Sequence, residues 1–87
     1  MPSLIDWERL GQTSGQAAAE GSGAYYDPAT GATVNGLDTE ERRARGDELA
    51  PVIIRALQPG RADDAQFHAD CQRFADGFAH GYTLALI

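Results

Sequence analysis

The last 21 residues, FHADCQRFADGFAHGYTLALI from Phe67 to Ile87, hold the strongest periodic signal in the chain. Phe67, Cys71, Phe74, Phe78 and Tyr82 recur at spacings of four, three, four and four, which places all five on one face of an α-helix. Upstream, Asp63 with Gln66 three residues on reads as a capping pair, so the spacing predicts a helix over about 63–86. This helix is expected to be the central element, and its apolar end TLALI to be docked. Gly77 and Gly81 lie beside the aromatic stripe at i, i+4. Each costs helix stability relative to Ala, about 0.5–1 kcal/mol, and close approach of another helix is the natural compensation.

Gly11 and Gly15 offer a matching groove in the N-terminal segment, provided that segment is helical. Ser3 with Asp6 forms a capping pair there, and Leu4, Ile5, Trp7 and Leu10 follow as an apolar stripe. A helix is predicted over about 3–20, stopped by Gly21 and Gly23.

Between these segments stands YYDPATGATVNG, residues 25 to 36. Pro28 presets φ and Gly31 suits a positive φ, a turn flanked by the strand formers Tyr25, Tyr26, Thr33 and Val34. A hairpin over about 24–35 results, with a type I turn and a bulge; strand geometry allows one tyrosine to pack on the helices while the other faces solvent, the alternative being that both are core or rim. The stretch resembles the hairpin half of cell-wall-binding, choline-binding-like repeats over about a dozen residues. The resemblance implies shared turn chemistry, and no ligand residue is carried over from it.

Asp38 and Glu41 make a further capping pair, starting a second helix at about Thr39 and running to about 58, where Gln58-Pro59-Gly60 ends it. Gly46 and Pro51 predict a kink or break near 46–51, with Asp47 available to cap a fresh helix. Its expected apolar face is Leu49, Val52, Ile53, Ala56 and Leu57.

The fold expected is therefore one small domain over 1–87, a mostly helical α+β arrangement. It has three main helices, the second kinked or split, and a β-hairpin between the first and second. The alternative is an all-α bundle with residues 23–37 as an irregular loop. With 87 residues only one core fits, and 15 of them are Ala, so large core formers are sparse and a homodimer or docking partner would help stability.

Thirteen acids against seven arginines leave a net charge of −6, which opposes direct nucleic-acid binding. Arg42, Arg43 and Arg45 cluster, but Asp38, Glu40, Glu41, Asp47 and Glu48 surround them and should largely cancel their field. No apolar run approaches the ~20 residues of a membrane span. Cys71 stands alone, and no basic, apolar leader precedes the first helix, so cytoplasmic residence is the expectation.

Asp64, His68 and Cys71 share a helical face at i, i+4 and i+7, but structural zinc wants four ligands and usually more than one Cys, so no metal site is expected. Cys71 aligned with phenylalanines reads as a small hydrophobe and not as a nucleophile. Asp76 and His80 at i, i+4 read as a surface pair. Ser3, Thr13, Ser14 and Ser22 lack a nucleophile elbow, and no phosphate loop is present. No catalytic residues and no cofactor are predicted; the expectation is a non-enzymatic protein.

What remains is an acidic interaction protein that inhibits or modulates a larger partner with a basic surface. Small phage and mobile-element inhibitors, anti-CRISPR proteins among them, share that general character. The partner-binding candidates are Asp38, Glu40, Glu41, Asp47, Glu48, Asp63 and Asp64, with Tyr25 and Tyr26 as aromatic anchors. The alternatives are an oligomer with Tyr25, Tyr26, His68 or His80 lining an intersubunit pocket, or a structural subunit joined through its glycine grooves and apolar C-terminus.

Overall fold

A computed structural model describes residues 5–87. It has the elements α1 (Trp7–Ser22), β1 (Tyr25–Asp27), β2 (Ala32–Val34), α2 (Thr39–Leu57) and α3 (Ala65–Ala85). This is a mostly helical α+β arrangement with one two-stranded antiparallel sheet.

Helix α1 begins at Trp7 with Asp6 as its cap; Ser3, the expected cap, lies outside the described residues. Asp6 has an extended backbone and its carboxylate accepts from the Arg9 N–H at 3.0 Å, so the first turn closes on Asp6 itself. At the other end α1 runs past Gly21 to a Schellman motif. Gly23, at φ 70°, donates to the Glu20 carbonyl, and Ala24 donates to that of Ala19.

The hairpin pairs Tyr25 with Val34, Tyr26 with Thr33 and Asp27 with Ala32. Its turn is held by Asp27, whose carboxylate accepts from Ala29 and whose carbonyl accepts from Gly31, the residue at φ 72°. Neither tyrosine is sunk into the core: Tyr25 is 51% exposed and Tyr26 50%. The two rings are thus equally exposed, and there is no division into one packed and one solvent-facing tyrosine. Between the sheet and α2, Leu37 packs against the core and donates its N–H to the buried Tyr82 hydroxyl.

Helix α2 starts with the expected capping box: Asp38 accepts from the Glu41 N–H at 2.9 Å and the Glu41 carboxylate accepts from Asp38 at 3.4 Å. It then continues as one helix through Gly46 and Pro51. The predicted split is absent, and Asp47 pairs with Arg43 inside the helix instead of capping a new one. Pro51 deprives only the Asp47 carbonyl of its N–H, while burial of Ala50 and Ile54 on either side holds the helix onto α3. The buried ridge is Arg42, Gly46, Ala50 and Ile54, rotated from the expected face. Val52, Ala56 and Leu57 are exposed, and Leu49 and Ile53 are half-buried. Small residues win the contact side because a β-carbon at Gly46 would stand 2.9 Å from the Ala75 Cα, so only a small residue permits the observed approach.

Helix α3 is capped by Asp64, which accepts from Phe67 at 2.9 Å, and not by Asp63. Asp63 is drawn off to His68 and Arg55, and Gln66 donates to Asp70. The C-terminal helix is central, as its stripe predicts: it packs on both α1 and α2, which scarcely touch each other. The molecule is consequently a slab of 49 × 20 × 15 Å.

The α1–α3 crossing is made of glycine. A β-carbon added at Gly11 or Gly15 would fall onto the carbonyl oxygen of Phe74 or Phe78, and one at Gly77 or Gly81 onto that of Glu8 or Gln12. The two helices run parallel, and in each case a glycine hydrogen faces the opposing carbonyl in the manner of a Cα–H···O contact. Around this crossing lies the core: Trp7, Ala19, Ala50, Ile54, Phe67, Phe74, Phe78 and Tyr82.

Candidate functional site

The chemistry-bearing side chains gather at the end of the slab where the hairpin, the start of α2 and the last turn of α3 meet. Two long-range bonds tie these parts together. The Tyr82 hydroxyl accepts from the Leu37 N–H at 2.8 Å, and Arg42 spans the rest. Its Nε donates to the Leu37 carbonyl at 3.0 Å, Nη1 to Thr83 Oγ1 at 3.0 Å and Nη2 to Thr33 Oγ1 at 2.9 Å. The guanidinium also lies over the Tyr82 ring, 5.4 Å from its centroid.

Arg42 is 7% exposed, yet no carboxylate of the described residues lies within 4.0 Å of it. The expected cancellation of the arginine cluster holds for Arg43, paired with Asp47 and Asp76, and for Arg45, paired with Glu48. It fails for Arg42. Residue 42 falls on the same i, i+4 ridge as Gly46, Ala50 and Ile54, and that periodicity is the signal that would have found it.

Beside the guanidinium is a concavity of about 490 Å³, bounded by Tyr26, Thr33, Thr39, Thr83, Leu86 and Ile87. A second groove of about 240 Å³ lies between α1 and α2, floored by Phe78 and Tyr82 and walled by Ala18, Leu37 and Leu49. It exists because α1 and α2 scarcely touch.

All seven acidic candidates are exposed, and they divide into three places. Asp38, Glu40 and Glu41 ring the hairpin end close to Arg42. Asp47 and Glu48 lie further along α2. Asp63 and Asp64 lie at the opposite end of the slab, so the structure does not gather the acids into one patch. Asp38, Glu41 and Asp64 are engaged in caps, and Asp47, Glu48 and Asp63 in exposed ion pairs. Above all, the hydrogen bond from the Glu41 N–H holds the Asp38 carboxyl below its ordinary pKa.

At the far end, Asp64 turns its carboxylate back to its own helix while His68 Nε2 meets Asp63 at 2.6 Å, so Asp64, His68 and Cys71 do not converge. Asp76 bonds Arg43 and not His80. Cys71 is half-buried, and burial pushes its thiol pKa up, with Arg55 and Arg61 opposing, so the thiol stays protonated at neutral pH. Nearby, Asp70 is buried against Arg61 at 2.5 Å and accepts from Gln66 at 3.0 Å, while Arg55 and Arg61 cover Phe67. Neither His68 nor His80 borders the concavity at Arg42, so of the residues considered for a pocket only Tyr26 does.

The fold and its hairpin end define a small helical α+β domain. Comparison with protein-family models, with curated proteins and with solved structures gives no match. Among the described residues no helix is long and apolar enough to cross a membrane.

Proposed function

We propose that this protein is a non-enzymatic interaction module that binds a larger protein partner and inhibits or modulates it, as small anti-defence inhibitors of the anti-CRISPR kind do. One observation carries the reading: Tyr25, Tyr26, Leu84 and Ile87 are each at least half exposed, and all lie at the hairpin end beside Asp38, Glu40 and Glu41. Aromatic anchors rimmed by charge are the composition of a protein-binding hot spot. A partner with basic groups facing an apolar pocket is complementary to it, and the acids would steer the encounter.

A compact interface at this end takes Tyr25, Tyr26 and the Asp38–Glu41 turn. It leaves Asp63 and Asp64 outside unless the partner follows the whole 49 Å of the slab. Exposed ion pairs such as Arg43–Asp47 are worth about 0–1 kcal/mol, so their acids remain available to a partner's arginines.

The test is capture of partners by the tagged protein at low and high salt, with three variants alongside. Tyr25→Ala and Tyr26→Ala should each weaken a captured partner by about 2 kcal/mol if they are anchors. Glu40→Arg is the clean charge reversal, because Asp38 and Glu41 also cap α2. A partner held as tightly by all three variants as by the native protein would overturn the proposal.

A further inference from the structure

We propose that the Arg42 concavity is a binding site for an organic monocarboxylate with an apolar body; the argument does not rest on the partner reading above, although Tyr26 and Ile87 belong to both surfaces. Arg42 is buried and positively charged without an ion-pair partner among the described residues. Burying an uncompensated charge is costly, and every neighbour that contacts it is neutral: the Leu37 carbonyl, two threonine hydroxyls and the face of Tyr82. Asp38 acts on it only through space.

A guanidinium carries five N–H donors, and three are used within the protein. One N–H on each terminal nitrogen is left for an incoming acceptor, which suits the two oxygens of a carboxylate. The Thr39 hydroxyl, at the first position of α2, stands at the same concavity.

The remaining walls set the rest of the ligand. Tyr26, Leu86 and Ile87 are apolar and partly or largely exposed, and a hydrocarbon body lying along them would be removed from water. About 490 Å³ is within the usual range for small-molecule sites, roughly 300–1,000 Å³. A dianion such as phosphate fits less well. The site has one guanidinium, the chain has no lysine, and Asp38 and Glu40 stand near the rim of a protein of net charge −6.

The probes are octanoate, its neutral isostere octanamide, and inorganic phosphate, followed by ¹H–¹⁵N correlation spectra that include the Arg42 Nε–H. Octanoate should shift that signal and the amides of Thr33, Thr39 and Thr83 saturably, with octanamide and phosphate at least about tenfold weaker. Arg42→Lys keeps the charge but loses the fork and should weaken octanoate by about tenfold or more. Since Arg42 also ties the fold together, Thr39→Glu serves as the second variant. It supplies a competing carboxylate at an exposed helix start, so it should abolish octanoate binding while raising the melting temperature. The proposal is overturned if octanoate up to about 10 mM leaves the Arg42 signal unmoved. It is equally overturned if octanamide or phosphate matches octanoate, or if Thr39→Glu binds octanoate unchanged.

Discussion

Substitution of Gly77 by Ala tests the central packing argument. In an isolated helix the change would be favourable by about 1 kcal/mol, because Ala is the better helix former. Here the new methyl group would fall onto the Glu8 carbonyl oxygen, with the Glu8 carbonyl carbon at 2.8 Å and the Gln12 nitrogen at 3.0 Å. All three are backbone atoms and cannot rotate aside. Restoring ordinary contact requires α1 and α3 to part by more than about 1 Å, and a gap of that size forfeits a quarter to a half of each facing dispersion contact. Overpacking costs of about 3 kcal/mol, the upper end of the usual range, are expected against rigid backbone. Net of the propensity gain, Gly77→Ala should destabilise by about 2 kcal/mol. For a chain this size that is a fall in melting temperature of about 8–16 °C. Gly21→Ala is the internal control, since its β-carbon would meet nothing within 4 Å, and it should gain about 0.5–1 kcal/mol. Circular dichroism melts and urea titrations of both variants decide the matter. If Gly77→Ala is as stable as the native protein, or tracks Gly21→Ala, the glycine crossing is not what holds α1 to α3.

Tyr82→Phe removes the acceptor of the Leu37 N–H and should cost about 1–2 kcal/mol in urea unfolding. Asp70→Asn leaves Arg61 without its buried counter-charge and should cost about 3 kcal/mol, which a thermal melt reads directly. Asp38 is held below its ordinary pKa in the folded state, so its contribution is present above the unfolded value and is lost as pH falls from about 4 through the lower folded value. The gap in melting temperature between native protein and Asp38→Ala should accordingly close below about pH 4, and a gap constant down to pH 2 would contradict the capping role. Cys71, its thiol kept neutral by burial, should react with a disulfide reagent at pH 7 much more slowly in the folded protein than in urea.

Local chemistry was legible wherever one residue and its near neighbours suffice. The Asp38–Glu41 box, the positive φ of Gly31 and the aromatic stripe of α3 each follow from spacing alone, because caps, turns and helical periodicity act over four or five residues. Even the pairing of Gly11 and Gly15 with Gly77 and Gly81 could be anticipated, since both pairs share the i, i+4 spacing and the same steric reason. Choices between equivalent local options were not legible. Asp63 and Asp64 can both cap, and Asp64 does so because Asp63 is engaged by His68 and Arg55. Pro51 can end a helix or lie within one, and the burial of Ala50 and Ile54 against α3 favours the second. Arg42 read as one of three clustered arginines among acids, whereas the small residues that bring α2 close to α3 turn it inward among Leu37, Thr33 and Thr83. The sequence by itself determined the helices, the hairpin and the glycine contact, all set by short-range sterics and hydrogen bonding. Only the tertiary structure decided which face of α2 is buried and that a charge goes with it, because that outcome depends on atoms 41 residues apart being brought into contact.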